Sequence, residues 1–202
     1  MAIKICAVEK SYQFRIELQG IQPAIWRTFQ VDQEETLFDL HEIIQIVMGW
    51  ENAHLFEFRV KDRRFGLLPD EDEFWEADEE VEDSEEVDLA ALDLKKGDVI
   101  HYLYDFGDNW EHRIVVEEVL EETTLTPVCK AGARNCPPED VGGIFGYIHL
   151  LEVLRDPKHP EYAEFTEWID EDYDAEEFEL EETNEILEEF DEWRQNIMDE
   201  EE

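Results

Sequence analysis

Serine is almost absent: Ser11 and Ser84 are the only two among 202 residues. A serine recombinase needs a nucleophilic Ser beside several arginines that hold the scissile phosphate. Ser11 opens an alternating apolar run and Ser84 lies among carboxylates that repel phosphate, so that chemistry is excluded. Basic residues are scarce as well, 16 Lys and Arg against 57 Asp and Glu, for a formal net charge of −41. They are too scattered to form the Arg/His set that a tyrosine recombinase gathers around its Tyr. Duplex binding depends largely on Lys and Arg displacing counterions, so no direct nucleic-acid binding is expected. Three cysteines, Cys6, Cys129 and Cys136, cannot build a disulfide framework, which agrees with a reducing compartment. No run approaches the ~20 apolar residues of a membrane span, and the start of the chain lacks the apolar stretch of a signal peptide. A cytoplasmic protein without a membrane partner is expected.

What is present is an ordinary apolar complement, 43% hydrophobic and 12% aromatic, enough to fold residues 1–202 as one domain. The acids are concentrated: residues 70–88 hold 13 acids and no base, and residues 161–202 hold 21 with Arg194 the only base. Charge that dense cannot be packed, so 69–88 reads as an exposed acidic loop. Residues 160–198 read as acidic helices docked through an apolar stripe. Such segments repel phosphate over about a Debye length, ~8–10 Å at physiological salt. The one basic cluster, Arg59, Lys61, Arg63 and Arg64, reads as a solvated hairpin.

Tyr12, Phe14, Ile16 and Leu18 alternate with polar residues, the period of a half-buried strand. A turn through Gly20 and Pro23 leads to a second strand over 25–31. Thr36 and Asp39 form a cap before a helix with the stripe Leu37, Leu40, Ile44 and Val47, stopped at Gly49. Strands follow over 56–60 and 63–67, then 99–104, which is apolar on both phases like a strand covered on both faces. A long strand carries Trp110, His112, Ile114 and Val116 on one face, and a short one falls near 126–129. Three helices close the chain: one with Ile144, Ile148, Leu151 and Leu154, one with Tyr162, Phe165, Trp168 and Ile169, and one capped by Thr183 with Ile186, Leu187, Phe190, Trp193 and Ile197. The fold class is α+β: a single mixed sheet of about 5–7 strands, opening ββαββ like a β-grasp fold and backed by helices.

Four segments carry a family likeness: MGWENAHLFEF at 48–58, YDFGDNWEHRI at 104–114, CPPEDVGGIFGY at 136–147, and DPKHPEYAEFTEWI with the later FELEETNEIL. In order and content the chain resembles the plasmid pRiA4b ORF-three-like family over residues 11–187. The resemblance implies an association with plasmids and mobile elements and no established activity. Some family members carry resolvase labels or fused repressor-like segments, for which this chain has no room. The family run is CPPEDCGG, and Val141 stands here in place of its second cysteine. The resemblance marks Trp50, His54, Gly107, Trp110, Pro137, Pro138, Gly142, Gly143 and Tyr147 as motif positions.

The chemistry-bearing residues admit two readings each. His112, Cys129 and Cys136, with Asp140 or His101 as a fourth ligand, have the donor types of tetrahedral zinc; the six residues between the cysteines are more than common structural sites use. The bland reading makes His112 a core histidine and the cysteines small apolar groups. Asp105, Asp108 and His112 are candidates for a metal or acid–base site. The bland reading makes 106–109 a hairpin turn over Trp110. His41 opens HEIIQ, which lacks the second His of a zinc-protease helix. Gly142 and Gly143 precede a helix, but Glu139 and Asp140 oppose a phosphate there. Trp50 and His54 read as packing.

The expected function is a non-catalytic binding module whose protein partner carries a basic face, with no cofactor unless the zinc set is real. The alternative is a metal-assisted hydrolase or other small-molecule enzyme with its site at Asp105, Asp108, His112 and the 136–143 loop. A DNA-related role stands third.

Overall fold

The computed structural model describes residues 9–68, 80–169 and 173–201, with side chains described as far as Asp191. The opening alternation becomes β1 (Ser11–Leu18), paired antiparallel with β2 (Trp26–Asp32). Tyr12, Phe14, Ile16 and Leu18 all point into the core. Helix α1 (Leu37–Met48) follows, and its start is closed twice. The Thr36 hydroxyl accepts from the Asp39 amide at 3.0 Å while the Asp39 carboxylate accepts from the Thr36 amide at 2.8 Å. Gly49, at φ 92°, ends the helix in the left-handed region that only glycine enters without cost.

The sheet continues with β3 (Phe56–Val60), β4 (Arg63–Gly66), β5 (Val81–Asp83), β6 (Val99–Tyr104), β7 (Trp110–Leu120) and β8 (Val128–Ala133). Its order is β5-β4-β3-β6-β7-β1-β2-β8, eight strands where five to seven were expected. All neighbours are antiparallel except β4 and β5. The chain opens with a hairpin followed by a helix, as expected. The added strand, β5, lies inside the acidic segment that the sequence presented as a loop; residues 69–79 of that segment lie outside the described residues. Ser84, just after β5, is fully buried, and the carbonyls of Ser84 and Val87 accept the free amides of Phe38 and Leu37 at the start of α1. Acid-rich chain is thereby placed at the positive end of a helix.

Helices α2 (Gly143–Arg155), α3 (Tyr162–Trp168) and α4 (Leu180–Glu201) complete the order, with a short 3₁₀ helix at Leu89–Leu92. Two stripes differ from expectation. In α2 the buried positions are Gly143, Tyr147, Leu150 and Val153, one place before the expected set from Tyr147 onward, and Ile148 stays exposed. In α4 Thr183 is not the cap: it sits inside the helix, its hydroxyl donating to the Glu179 carbonyl at 2.8 Å. Leu187 is fully buried and α4 packs on α1 and β8; Trp193 and Ile197 lie outside the described side chains. Asn184 donates to the Cys129 carbonyl and accepts from its amide, at 2.9 and 2.8 Å, so it occupies the outer edge of β8 as a strand would.

Strand β6 is covered on one face, not two: Ile100, Tyr102 and Tyr104 are buried while His101 is exposed. The helices lie over the inward face. The other face carries polar groups such as Glu57, Arg59, His101 and Glu111 around a depression of about 370 Å³. Glu57 there is nearly buried; burial raises its pKa, but hydrogen bonds and charge from Arg64 and Arg59 carry it below the ordinary value. Among the described residues no helix is long and apolar enough to cross a membrane.

Candidate functional site

The first three of the four family segments meet at one end of the sheet. The first supplies the link between α1 and β3, the second the β6–β7 turn, and the third the loop before α2. Trp50 binds the first to the third: its indole N–H donates to the Pro137 carbonyl at 3.0 Å, and its ring stacks on Tyr104 at 4.9 Å. Tyr104 extends the link, donating to Glu139 Oε1 at 2.9 Å and accepting from the Ala53 amide at 3.0 Å. Burial, followed by the Glu139 carboxylate, raises the Tyr104 phenol well above its usual pKa, so it remains a donor.

The β6–β7 turn is built on Asp105 and Asn109, both at positive φ (54° and 56°). Asp105 Oδ1 accepts from the Gly107 amide at 2.8 Å, a local turn that does not involve Oδ2. Asp108 instead reaches across to the third loop, where its carboxylate accepts from the Gly142 amide at 3.0 Å and ties that loop to the turn. Gly143 then passes so close that a Cβ on it would lie 2.5 Å from the Asp108 carbonyl oxygen. The glycine pair is needed for this approach and for two positive φ angles in succession.

Those contacts bring His54, Asp105, Glu139 and Asp140 together. His54 Nε2 lies 3.4 Å from Asp140 Oδ1, 3.6 Å from Glu139 Oε2 and 3.8 Å from Asp105 Oδ2. None of these is a hydrogen bond, and His54 Nε2 and Glu139 Oε2 are buried atoms without a hydrogen-bond partner. The Asp105 side chain is 9% exposed and that of Asp140 76%, so the cluster is walled on one side and open on the other. Among the described residues, this is the group of three or more His, Cys, Asp and Glu whose ligand atoms all lie within 4.8 Å of one another: His54, Asp105 and Asp140. Four ligands ~2.1 Å from a tetrahedral ion stand ~3.4 Å apart, so the His54–Asp140 spacing is one that a shared divalent cation would accept.

The other expected ligands go elsewhere. His101 faces out from the sheet while His112, paired across from Tyr102 on the adjacent strand, faces in, so the two cannot share an ion. His112 packs against Trp50 and Tyr102, with ring centroids 5.1 and 5.4 Å away, and neither ring nitrogen has a partner. Burial pushes its pKa down to about 3, against a pull from the backbone at Tyr102 and Trp110. Cys129 and Cys136 are free, buried thiols; burial pushes them up to about 11 and about 12, although Arg27 opposes the shift. Among the described residues, neither thiol joins His112 or Asp140 in a group of three or more ligand atoms within 4.8 Å of one another. The set His112, Cys129, Cys136 and Asp140 is therefore not assembled, and only Asp140 of it enters the cluster. Of the acid–base candidates, Asp105 enters, Asp108 anchors a loop, and His112 is core.

His54 was expected only as a packing motif residue, and Glu139 only as part of the 136–143 loop of the alternative site. The signal was in the sequence: one lies in each of two signature runs. Trp110 and Tyr147 are fully buried, Tyr147 beside Tyr173 at 3.4 Å between hydroxyls. Pro137, Pro138, Glu139 and Asp140 also line a cleft of about 450 Å³ that reaches Trp168 and Tyr173.

A mixed antiparallel sheet backed by helices, with its motif loops gathered around acids and one histidine, defines an α+β protein with a candidate cation site at one end. The model of the plasmid pRiA4b ORF-3-like protein family matches residues 10–182, and the chain belongs to that family. It is similar to the uncharacterized protein y4hQ of Sinorhizobium fredii (strain NBRC 101917 / NGR234), 39% identical over 165 residues, 81% of this chain and 83% of that protein. Its fold matches the crystal structure of MM3350, a protein of unknown function from Methanosarcina mazei Go1. That match has a TM-score of 0.75 and 35% identity, covering 87% of this chain and 98% of that one.

Proposed function

We propose that the protein is a metal-assisted hydrolase whose divalent ion is held by His54, Asp105 and Asp140. The observation that carries this reading is the buried, unpartnered His54 Nε2 facing three carboxylates at 3.4–3.8 Å. Three protein ligands with an open fourth position are the pattern of catalytic sites, whereas structural sites are closed. The exposed side of Asp140 and the adjoining cleft supply that opening.

A divalent ion held by His54, Asp105 and Asp140 would supply an acidified water and a Lewis-acid centre. Glu139 Oε2, not needed as a ligand, stands beside His54, where it would serve as general base and then as general acid in the hydrolysis of a carbonyl substrate. Tyr104, bonded to Glu139 Oε1, keeps the carboxylate oriented. The test is ester and amide hydrolysis by protein loaded with zinc or manganese. Expected is activity lost with a chelator and lowered ~10²-fold or more in Glu139→Gln, which removes the base and keeps the shape. Activity unchanged in that variant, or none with any divalent ion, contradicts the reading.

A second reading, a non-catalytic module for a basic protein partner, is favoured by the net charge of −41 and by exposed Phe106 and Phe145 beside the site. It is tested by pull-down: partners whose retention is insensitive to salt count against it.

A further inference from the structure

We infer that the cleft beside His54 and Asp140 binds an alkylammonium group, the amine-bearing end of the molecule on which the site acts. This deepens the hydrolase reading by naming a substrate class. The cleft is about 450 Å³, within the usual range for small-molecule sites. Its charge comes from Glu51, Glu139 and Asp140, and among the described residues no Lys, Arg or His lines it. Trp168 and Tyr173 form its aromatic wall. Carboxylates beside aromatic faces are the chemistry that recognises an organic ammonium. Without the ion, a phosphate or carboxylate ligand meets three carboxylates there, and among the described residues no cationic side chain lines the cleft to offset them.

The walls are set before any ligand arrives. The Tyr173 hydroxyl donates to the Cys136 carbonyl at 2.8 Å, and the Pro137 carbonyl is held by Trp50. The Glu51 amide donates to Glu139 Oε1 at 3.1 Å, which fixes the acidic rim. Trp168 remains 47% exposed, a large apolar face left open at the mouth. Glu139 and Asp140 face His54 as well as the cleft, so with an ion in place the ammonium is left Glu51 and the aromatic wall. The strongly negative chain also raises the local concentration of cations.

The test is calorimetric titration of the full-length, zinc-loaded protein with N-acetyl-lysine N-methylamide, with n-butylamine, and with N-acetylglutamate N-methylamide as the anionic control. Expected is saturable binding of at least one ammonium compound and none of the control. Tighter binding of the lysine compound assigns the amine to a peptide side chain, and equal or tighter binding of butylamine assigns it to a free amine. Trp168→Ala and Glu51→Gln are each expected to weaken binding about tenfold while the zinc stoichiometry stays the same. Ammonium binding unaffected by both variants, or no better than the control, overturns the inference. If zinc binds and no amine does, this inference fails and the metal reading stands. If zinc does not bind, the metal reading fails, and the same titrations of the metal-free protein still decide the ammonium site.

Discussion

At the scale of single residues, His54 and His112 have opposite characters. His54 offers a nitrogen to three carboxylates, so His54→Ala removes the one nitrogen ligand and leaves acids that repel one another. His112 is sealed among aromatics with both nitrogens unpartnered. Leucine there gives up no hydrogen bond. His112→Leu is therefore expected to fold at wild-type stability or above, measured by urea denaturation near neutral pH, and to keep any metal the wild type holds. A loss of several kcal/mol together with the metal would make His112 a ligand after all. Gly143→Ala is the harsher change. It places a Cβ against the Asp108 backbone at a positive φ. It is expected to cost ~1–3 kcal/mol in thermal or urea unfolding and to weaken metal binding, because the loop bearing Glu139 and Asp140 must shift. Wild-type values for both would show that the close approach is not needed.

At the scale of elements, most of the fold was legible. Period-two runs gave β1, β3 and β7, and the Thr36–Asp39 cap with Gly49 bounded α1 almost to the residue. What was not legible depends on partners distant in sequence. Val81–Asp83 is a strand because β4 offers an edge, and nothing in an acid run announces that. The buried side of α2 begins at Gly143, a residue with no hydrophobic weight, because the helix presses on the 105–109 turn. The site was half legible for the same reason. Asp105 and Asp140 were marked by residue type, but His54 joins them through contacts between distant segments, such as the stacking of Trp50 on Tyr104, 54 residues apart in the chain. Helix α4 supplies a test at this scale. Leu187 is its fully buried anchor, so Leu187→Ala is expected to cost ~2–5 kcal/mol in chemical denaturation. A cost below ~1 kcal/mol would mean that α4 is dispensable to the core.

At the scale of the whole molecule, two buried histidines make the fold sensitive to acid. His41, bonded to Tyr102 and Asn52, is pushed down to about 4 chiefly by burial, and His112 to about 3. Both are neutral in the fold and take up a proton on unfolding once pH drops below ~6.5. Their contribution is complete above that value and is lost as pH falls towards 4 and 3, by up to ~1.4 kcal/mol per pH unit for each histidine. Glu57, held below its ordinary pKa, adds to the loss below the carboxylate range. Unfolding free energy measured in urea between pH 7 and 4 is expected to fall steadily, with a shallower slope in His112→Leu; a flat profile would show that neither ring is neutral by burial. The direct measurement of the candidate site is metal stoichiometry. Protein stripped with a chelator, then titrated calorimetrically with zinc or manganese, is expected to take up one ion per chain, and His54→Ala and Asp105→Asn none while remaining folded. Wild-type protein that binds no ion, or variants that bind as it does, would contradict the assignment of His54, Asp105 and Asp140 as a metal site.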